Sequence, residues 1–208
     1  MASPSADPFL RATAVFDHDH PRVAALAREL GGGDAEAVAR RMFEWVRDRI
    51  PHTGDAGHDA VTCAASEVLA TGTGFCYAKS HLLVALLRGA GVRAGVCYQR
   101  LSIGEGRFLL HGLAAVELPT YGWYRADPRG NGFGIDAQFT PPREQLAHET
   151  RMPGEWDSRL VFPDPLPAVE GALRRCRGVR ELSSAWPDLE LPPRGGTGDG
   201  TRTAPATA

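Results

Sequence analysis

Cys76, His111 and Asp127 are residue types that together can make an activated nucleophile, and they lie close enough along the chain for local folding to bring them together. Cys76 sits inside GTGFCYAKSHLLVALLRGAGV, residues 72–92. Gly72, Gly74 and two threonines lead into it. Leu82, Leu83, Leu86 and Leu87 follow at helical spacing, and Gly89 or Gly91 closes the run. A helix is therefore predicted to open at Cys76 with its later turns buried. A helix N-terminus carries partial positive charge and unpaired N–H groups, and both favour thiolate over thiol. A thiolate nucleophile works with an imidazole that shares its proton and later protonates the leaving group. A third polar group then fixes the imidazole's orientation. His111 lies in the apolar stretch FLLHGLAAVEL, and Asp127 closes WYRADPRG.

The elements that must position these residues are legible from periodicity. PRVAALAREL (21–30) opens with a proline at a helix start, and GGG breaks it. DAEAVARRMFEWVRDRI (34–50) is a second helix, with Asp34 as its cap, Pro51 as its stop, and Val38, Met42, Trp45, Val46 and Arg49 roughly on one side. ASEVLATG is a short helix closed by Gly72. From residue 93 the period becomes alternating: strands are predicted over 93–101, 108–118, 123–130 and 135–139, in hairpin-like succession. PPREQLAHE is expected to open another helix, and PAVEGALRRC (167–176) a C-terminal one. Helices first and then strands make an α+β fold with an antiparallel sheet. A turn near Thr120–Tyr121 sets position 111 opposite 129–130. Asp127 then falls two or three places along the partner strand, within reach of His111.

Composition narrows the classes. The 208 residues fit one domain, with 43 % hydrophobic and 23 % charged residues. A net charge of -2 gives no broad basic surface, so nucleic acid is not an expected partner. The cysteines at 63, 76, 97 and 176 match no zinc pattern and no CxxC pair. Cys63, Cys97 and Cys176 are read as core filler. Asp17–Pro21 (DHDHP) offers alternate histidines without further ligands, so no metal is expected. No signal peptide and no membrane span is visible, and a reducing cytoplasm is the default. Residues 1–15 are expected to be flexible, 16–186 to form one domain, and the polar, low-complexity stretch 187–208 to be disordered. Trp123, Tyr124 and Tyr98 read as core aromatics. Nothing in the sequence specifies an oligomeric state.

The cysteine, histidine and WYRADPRGN stretches resemble the three motifs of the transglutaminase-like superfamily. AEAVARRMFEWVRDRI resembles the helix that opens such domains, and ASEVLATGTGFC resembles their approach to the nucleophile. The likeness runs from about Phe16 to Phe139. It implies a papain-like α+β fold, with the nucleophile helix packed on an antiparallel sheet. It implies Cys76 as nucleophile, His111 as general base and acid, and Asp127 as the orienting group. The reaction implied is acyl transfer on peptide, protein or small-molecule amides, through a thioester resolved by water or an amine, without a cofactor. The large calcium-regulated transglutaminases carry extra β domains that have no counterpart here. For the oxyanion, the Cys76 N–H is one donor; Gln99 or a side chain in the Gly72–Phe75 loop is a second. Lys79 lies on the same helical face as Cys76. It is read as a solvated charge, with support of the thiolate or of a substrate carboxylate as the functional alternative. The competing function is a non-catalytic module that holds a peptide in the same cleft.

Overall fold

The helix boundaries follow from the residues that flank them. The computed structural model describes residues 7–192 and the backbone of 202–203. Helix α1 (Pro21–Leu30) has Pro21 in its first turn, and His20 Nδ1 accepts the Arg22 N–H. Helix α2 (Ala35–Arg49) is capped by Asp34, which accepts the Ala37 N–H at 2.9 Å. It buries Val38, Ala39, Met42, Phe43 and Val46. Trp45 is half-buried, and Arg49, expected on this face, is exposed; Phe43 fills the stripe instead. Helix α3 (Ala65–Thr71) ends at Gly72, whose φ of 69° is the left-handed conformation a helix stop requires. Helix α4 (Cys76–Gly89) begins at Cys76, as the sequence predicts.

Helix α4 is the centre of the molecule, since every residue from Cys76 to Arg88 is buried. A helix without a solvent face must satisfy its polar side chains internally. Lys79 Nζ donates to Arg47 O at 3.1 Å and to Ile50 O, the open carbonyl end of α2. Ser80 Oγ donates to Gly112 O at 3.1 Å. His81 Nδ1–H donates to Cys63 O at 2.8 Å. The Arg88 guanidinium donates to the carbonyls of Arg11, Ala94 and Pro163. These four side chains bind α2, the sheet, the approach to α3, the N-terminal stretch at Arg11 and the segment at Pro163 to one rod. Lys79 is therefore not the solvated charge expected of it: it is fully buried.

Strands β1 (Ala94–Ser102), β2 (Phe108–Leu118) and β3 (Gly122–Ala126) form an antiparallel meander. A two-strand hairpin follows, β4 (Gln138–Thr140) with β5 (Arg143–Gln145). Then β6 (Trp156–Asp157) adds to the free edge of β1, giving the order β3-β2-β1-β6. Strand β7 (Leu160–Val161) pairs with β8 (Arg202–Thr203), and between them lie α5 (Pro167–Arg175) and α6 (Val179–Ser184). One face of the sheet, with Val96, Tyr98, Ala114, Val116 and Tyr124, joins the helical core. A smaller cluster of Phe9, Cys97, Leu113, Ala115, Trp123 and Val161 covers the other. This is the α+β arrangement that the element order implies.

Three expectations are corrected. PPREQLAHE is not a helix: β5 and an extended run occupy it. Tertiary bonds decide this. The Tyr124 hydroxyl donates to Arg143 O and accepts the Thr140 N–H, both at 3.1 Å. Glu144 is clamped by the buried Arg125 at 2.7 Å and by Arg159 at 2.7 Å. Such partners override the helix propensity of the segment. The N-terminal stretch is part of the fold from residue 7. Phe9 packs on Trp123 with ring centroids 4.8 Å apart, and its carbonyl accepts the Ala94 N–H. The stretch from 187 begins firmly tied. Pro187 O accepts the Leu110 N–H at 2.7 Å, Asp188 pairs with Arg100, and Leu189 O accepts the Trp156 indole N–H. The remaining disorder expectations fall on residues 1–6, 193–201 and 204–208, which lie outside the described residues. Among the described residues, no helix is long and apolar enough to cross a membrane.

Candidate active site

The approach to Cys76 is fixed by backbone. Gly74 N–H donates to Pro51 O at 3.3 Å, and Gly74 O accepts the Thr53 N–H at 3.1 Å. Phe75 then takes the extended N-cap conformation and offers no side-chain acceptor to the helix. The first-turn N–H groups of α4 are thus free of a side-chain cap where the thiol sits. The Phe75 ring stands between His52 and Trp186, edge-on to each at a centroid distance of 5.4 Å.

The first turn of α4 is bolted to β2. Tyr77 Oη donates to Leu110 O and Ser80 Oγ to Gly112 O. Gly112 permits the approach, because a Cβ there would lie 3.0 Å from Tyr77 Cα. The residue between these two anchors is His111. Its Nε2–H donates to Asp127 Oδ2 at 2.8 Å. The Cys76 sulfur is the ring's second polar neighbour. Burial opposes charge on the ring. The Asp127 carboxylate, the Cys76 sulfur and the hydrogen bonds to both prevail and raise His111 to about 10.

Asp127 reaches His111 because its chain leaves the sheet in time. The last β2–β3 pair is Ala114 with Ala126, the register that the predicted turn sets, and β3 ends there rather than at the expected residue 130. At Asp127 the backbone turns, and Oδ1 accepts the Arg129 N–H at 3.1 Å. Oδ2 accepts the Ala147 N–H at 2.9 Å besides the imidazole. Burial of this carboxyl is outweighed by His111 and the two backbone N–H groups, which hold it below the usual carboxylate range.

Cys76, His111 and Asp127 are thus brought together. Gln99 pairs directly opposite His111 in β1 and is also at the site. Its amide Nε2 donates to His148 O at 3.3 Å, however, and its unpartnered atom is the acceptor Oε1. A carboxamide has two N–H donors, of which His148 O takes one. Lys79 lies one turn beyond the thiol, held by the carbonyls of α2. Cys63 and Cys97 are buried, and burial pushes each thiol up to about 12. Cys176 is only half-buried. In the DHDHP segment, Asp17 accepts the Ser66 N–H, His18 bonds to Leu10 O, and His20 caps α1.

Several neighbours escaped the sequence. His148 stands edge-on to His111 at 4.9 Å, and burial together with the charge of His111 lowers it to about 4. His52 is lowered to about 4 by burial and by Arg129. Arg125, buried among Glu144, Asp157 and Ser158 O, locks β3, β5 and β6 beneath the site. No spacing in the sequence announces these contacts, since each joins elements far apart in the chain.

The sequence pattern of the transglutaminase-like superfamily matches residues 24–128, which take in Cys76, His111 and Asp127. The chain belongs to this superfamily. None of the curated proteins compared with it matches. Among solved structures, it is similar to a proposed cysteine protease from Cytophaga hutchinsonii: 17 % identity, TM-score 0.47, over 59 % of this chain and 41 % of that one. It is also similar to the periplasmic domain of TgpA from Pseudomonas aeruginosa, with 24 % identity and a TM-score of 0.42 over 52 % of this chain and 42 % of that one. The ethylmercury-bound form of that domain gives 22 % identity and a TM-score of 0.45 over 58 % and 46 %. The chain spans less than half the length of these structures.

Proposed function

We propose that this transglutaminase-like domain transfers acyl groups from amides through Cys76. The observation that carries the reading is the buried His111, which donates to the Asp127 carboxylate and has the Cys76 sulfur among the neighbours that raise its pKa. At neutral pH the ring holds a proton beside the sulfur, which supports a thiolate–imidazolium pair. The thiolate attacks the amide carbonyl and forms a C–S bond. The oxygen takes up negative charge, for which the Cys76 backbone N–H at the helix start is a suitable donor. Collapse breaks the C–N bond, and His111 gives its proton to the departing nitrogen. The neutral imidazole then accepts a proton from water or an incoming amine. That nucleophile attacks the thioester and releases the acid or a new amide, restoring thiolate and imidazolium. Asp127 keeps the ring oriented throughout and stabilises it whenever it is charged.

The test is alkylation by iodoacetamide as a function of pH, followed at each cysteine by peptide mass spectrometry, in the wild type and in His111→Ala. Fast modification of Cys76 near pH 6, with Cys63 and Cys97 inert, is the expected result, and the substitution should remove the low-pH reactivity. A Cys76 that reacts only as ordinary thiols do, near pH ~8.5, in both proteins would leave the fold as a peptide-binding module instead.

A further inference from the structure

We infer that His148 and Gln99 are positioning residues for His111: the segment after β5 folds back over the imidazole and sets the plane of its ring. The inference rests on the reading of Cys76 and His111 as the reacting pair. The bond from Nε2 to Asp127 holds one atom of the His111 ring at 2.8 Å. One hydrogen bond fixes a point and leaves the plane free, and the torsion that turns a histidine ring is a broad one. Packing must supply the rest. The His148 ring meets the His111 ring at a centroid distance of 4.9 Å and an interplanar angle of 89°. That is the edge-to-face arrangement in which aromatic rings attract. Burial and the charge of His111 lower His148 to about 4, so it meets its neighbour as a neutral ring at neutral pH.

His148 is itself held in place by bonds on both sides. The preceding N–H, that of Ala147, donates to Asp127 Oδ2 at 2.9 Å, the same oxygen that accepts the imidazole. The His148 carbonyl accepts Gln99 Nε2 at 3.3 Å. A carbonyl can only accept, so the amide nitrogen of Gln99 is the atom that faces it. Gln99 pairs directly opposite His111 in the β1–β2 ladder. A side chain from the same rung of the sheet therefore ties down the residue that packs on the His111 ring. A glutamine buried in a strand costs stability unless it is bonded, and Gln99 is 1 % exposed. The root of the segment is anchored as well, because Glu144 is gripped by the buried Arg125 and by Arg159, each at 2.7 Å. Two successive residues thus reach the whole assembly: Ala147 bonds the carboxylate, and His148 packs on the imidazole and takes the tie from Gln99. Both lie beyond residue 128, where the superfamily pattern ends. The pattern that identifies the triad does not contain the residues that steady its imidazole.

The test is the rate of iodoacetamide alkylation at Cys76, a C–S bond formed from the thiolate with loss of iodide. It is measured at about pH 6 and about pH 9.5, on either side of the ordinary thiol pKa. The half-buried Cys176 of the same molecule is the internal reference. His148→Ala should lower the rate at the acid pH by about tenfold, since the ion pair is misplaced. It should leave the alkaline rate within about twofold, because an ordinary thiol ionises there unaided. His148→Phe keeps the ring without its nitrogens and should restore the acid rate to within about threefold of the wild type. Gln99→Met keeps the length without the donor and should cost about threefold at the acid pH alone. A merely structural role would loosen the fold and change both rates in the same proportion, and that result overturns the inference. So does an acid rate untouched by His148→Ala and Gln99→Met, or a His148→Phe as slow as His148→Ala. Should His148→Ala not fold, Gln99→Met decides. In each of these cases a wild-type Cys76 that is fast at acid pH leaves the nucleophile in place. A wild type without that reactivity overturns the proposed function itself.

Discussion

His81 and His111 are both buried in the one core, yet their surroundings drive them in opposite directions. His81 lies on α4 five residues after Cys76. It donates to a backbone carbonyl, Cys63 O, and meets Phe16 edge-on at 5.5 Å. Burial lowers it to about 4. His111 donates to a carboxylate and faces a sulfur, and it rises to about 10. Both rings are removed from water, so burial does not distinguish them. The formal charge of the partner does. His148, beside His111 and also lowered to about 4, shows that proximity to the site is not sufficient either.

Removing the two rings in turn gives the largest contrast. His111→Ala should slow Cys76-dependent amide turnover by about 10²–10⁴-fold. His81→Gln, which keeps a donor for Cys63 O, should leave the rate within about threefold. Comparable losses in both would end the distinction. Asp127→Asn gives His111 a neutral partner like that of His81. Its pKa should drop from about 10 to below the ordinary histidine value, followed by NMR titration of the ring, with turnover reduced about 10²-fold. Gly112→Ala leaves all three reactive groups chemically intact but drives a Cβ into Tyr77. It should cost about tenfold in Cys76 alkylation rate through misplacement alone.

The smallest effects concern stability, and they have opposite signs. His81 is lowered in the fold, so between pH 6.5 and about 4 the unfolded chain binds a proton that the folded chain refuses. Stability is lost as pH falls through that window, and His81→Gln should recover up to about 3 kcal/mol of it at pH 4. His111 is raised, so its contribution is complete below pH 6.5 and is lost as pH rises toward about 10. Asp127→Asn should flatten that alkaline limb. Denaturant midpoints at pH 4.5, 7 and 9.5 separate the two limbs.

The contrast between the histidines also marks how far the sequence could be read. Cys76, His111 and Asp127 were legible because helix start, strand and hairpin are local: glycine punctuation sets the first, and a short turn sets the register of the other two. The α+β order was legible for the same reason. The segment after Pro142 was misread because the Tyr124 hydroxyl and the Arg125 guanidinium, which hold it extended, come from another element. Lys79 was misread because its partners are backbone carbonyls at the end of α2, and carbonyls leave no mark in residue types. Gln99 pairs opposite His111, but its bond to the carbonyl of His148 is one about which residue types say nothing.

Helix α4 has no exposed turn between Cys76 and Arg88, and this bears on how the thiol experiences fluctuation. Partial openings of a protein release its least buried units first, and amide hydrogen exchange reports the free energy of each. The amides of α4 beyond its first turn should be among the last to exchange, at rates set by global unfolding. The thiol proposed as nucleophile would then ride on the most persistent part of the molecule. The exposed stretches at 54–58 and 131–134 should exchange early by comparison.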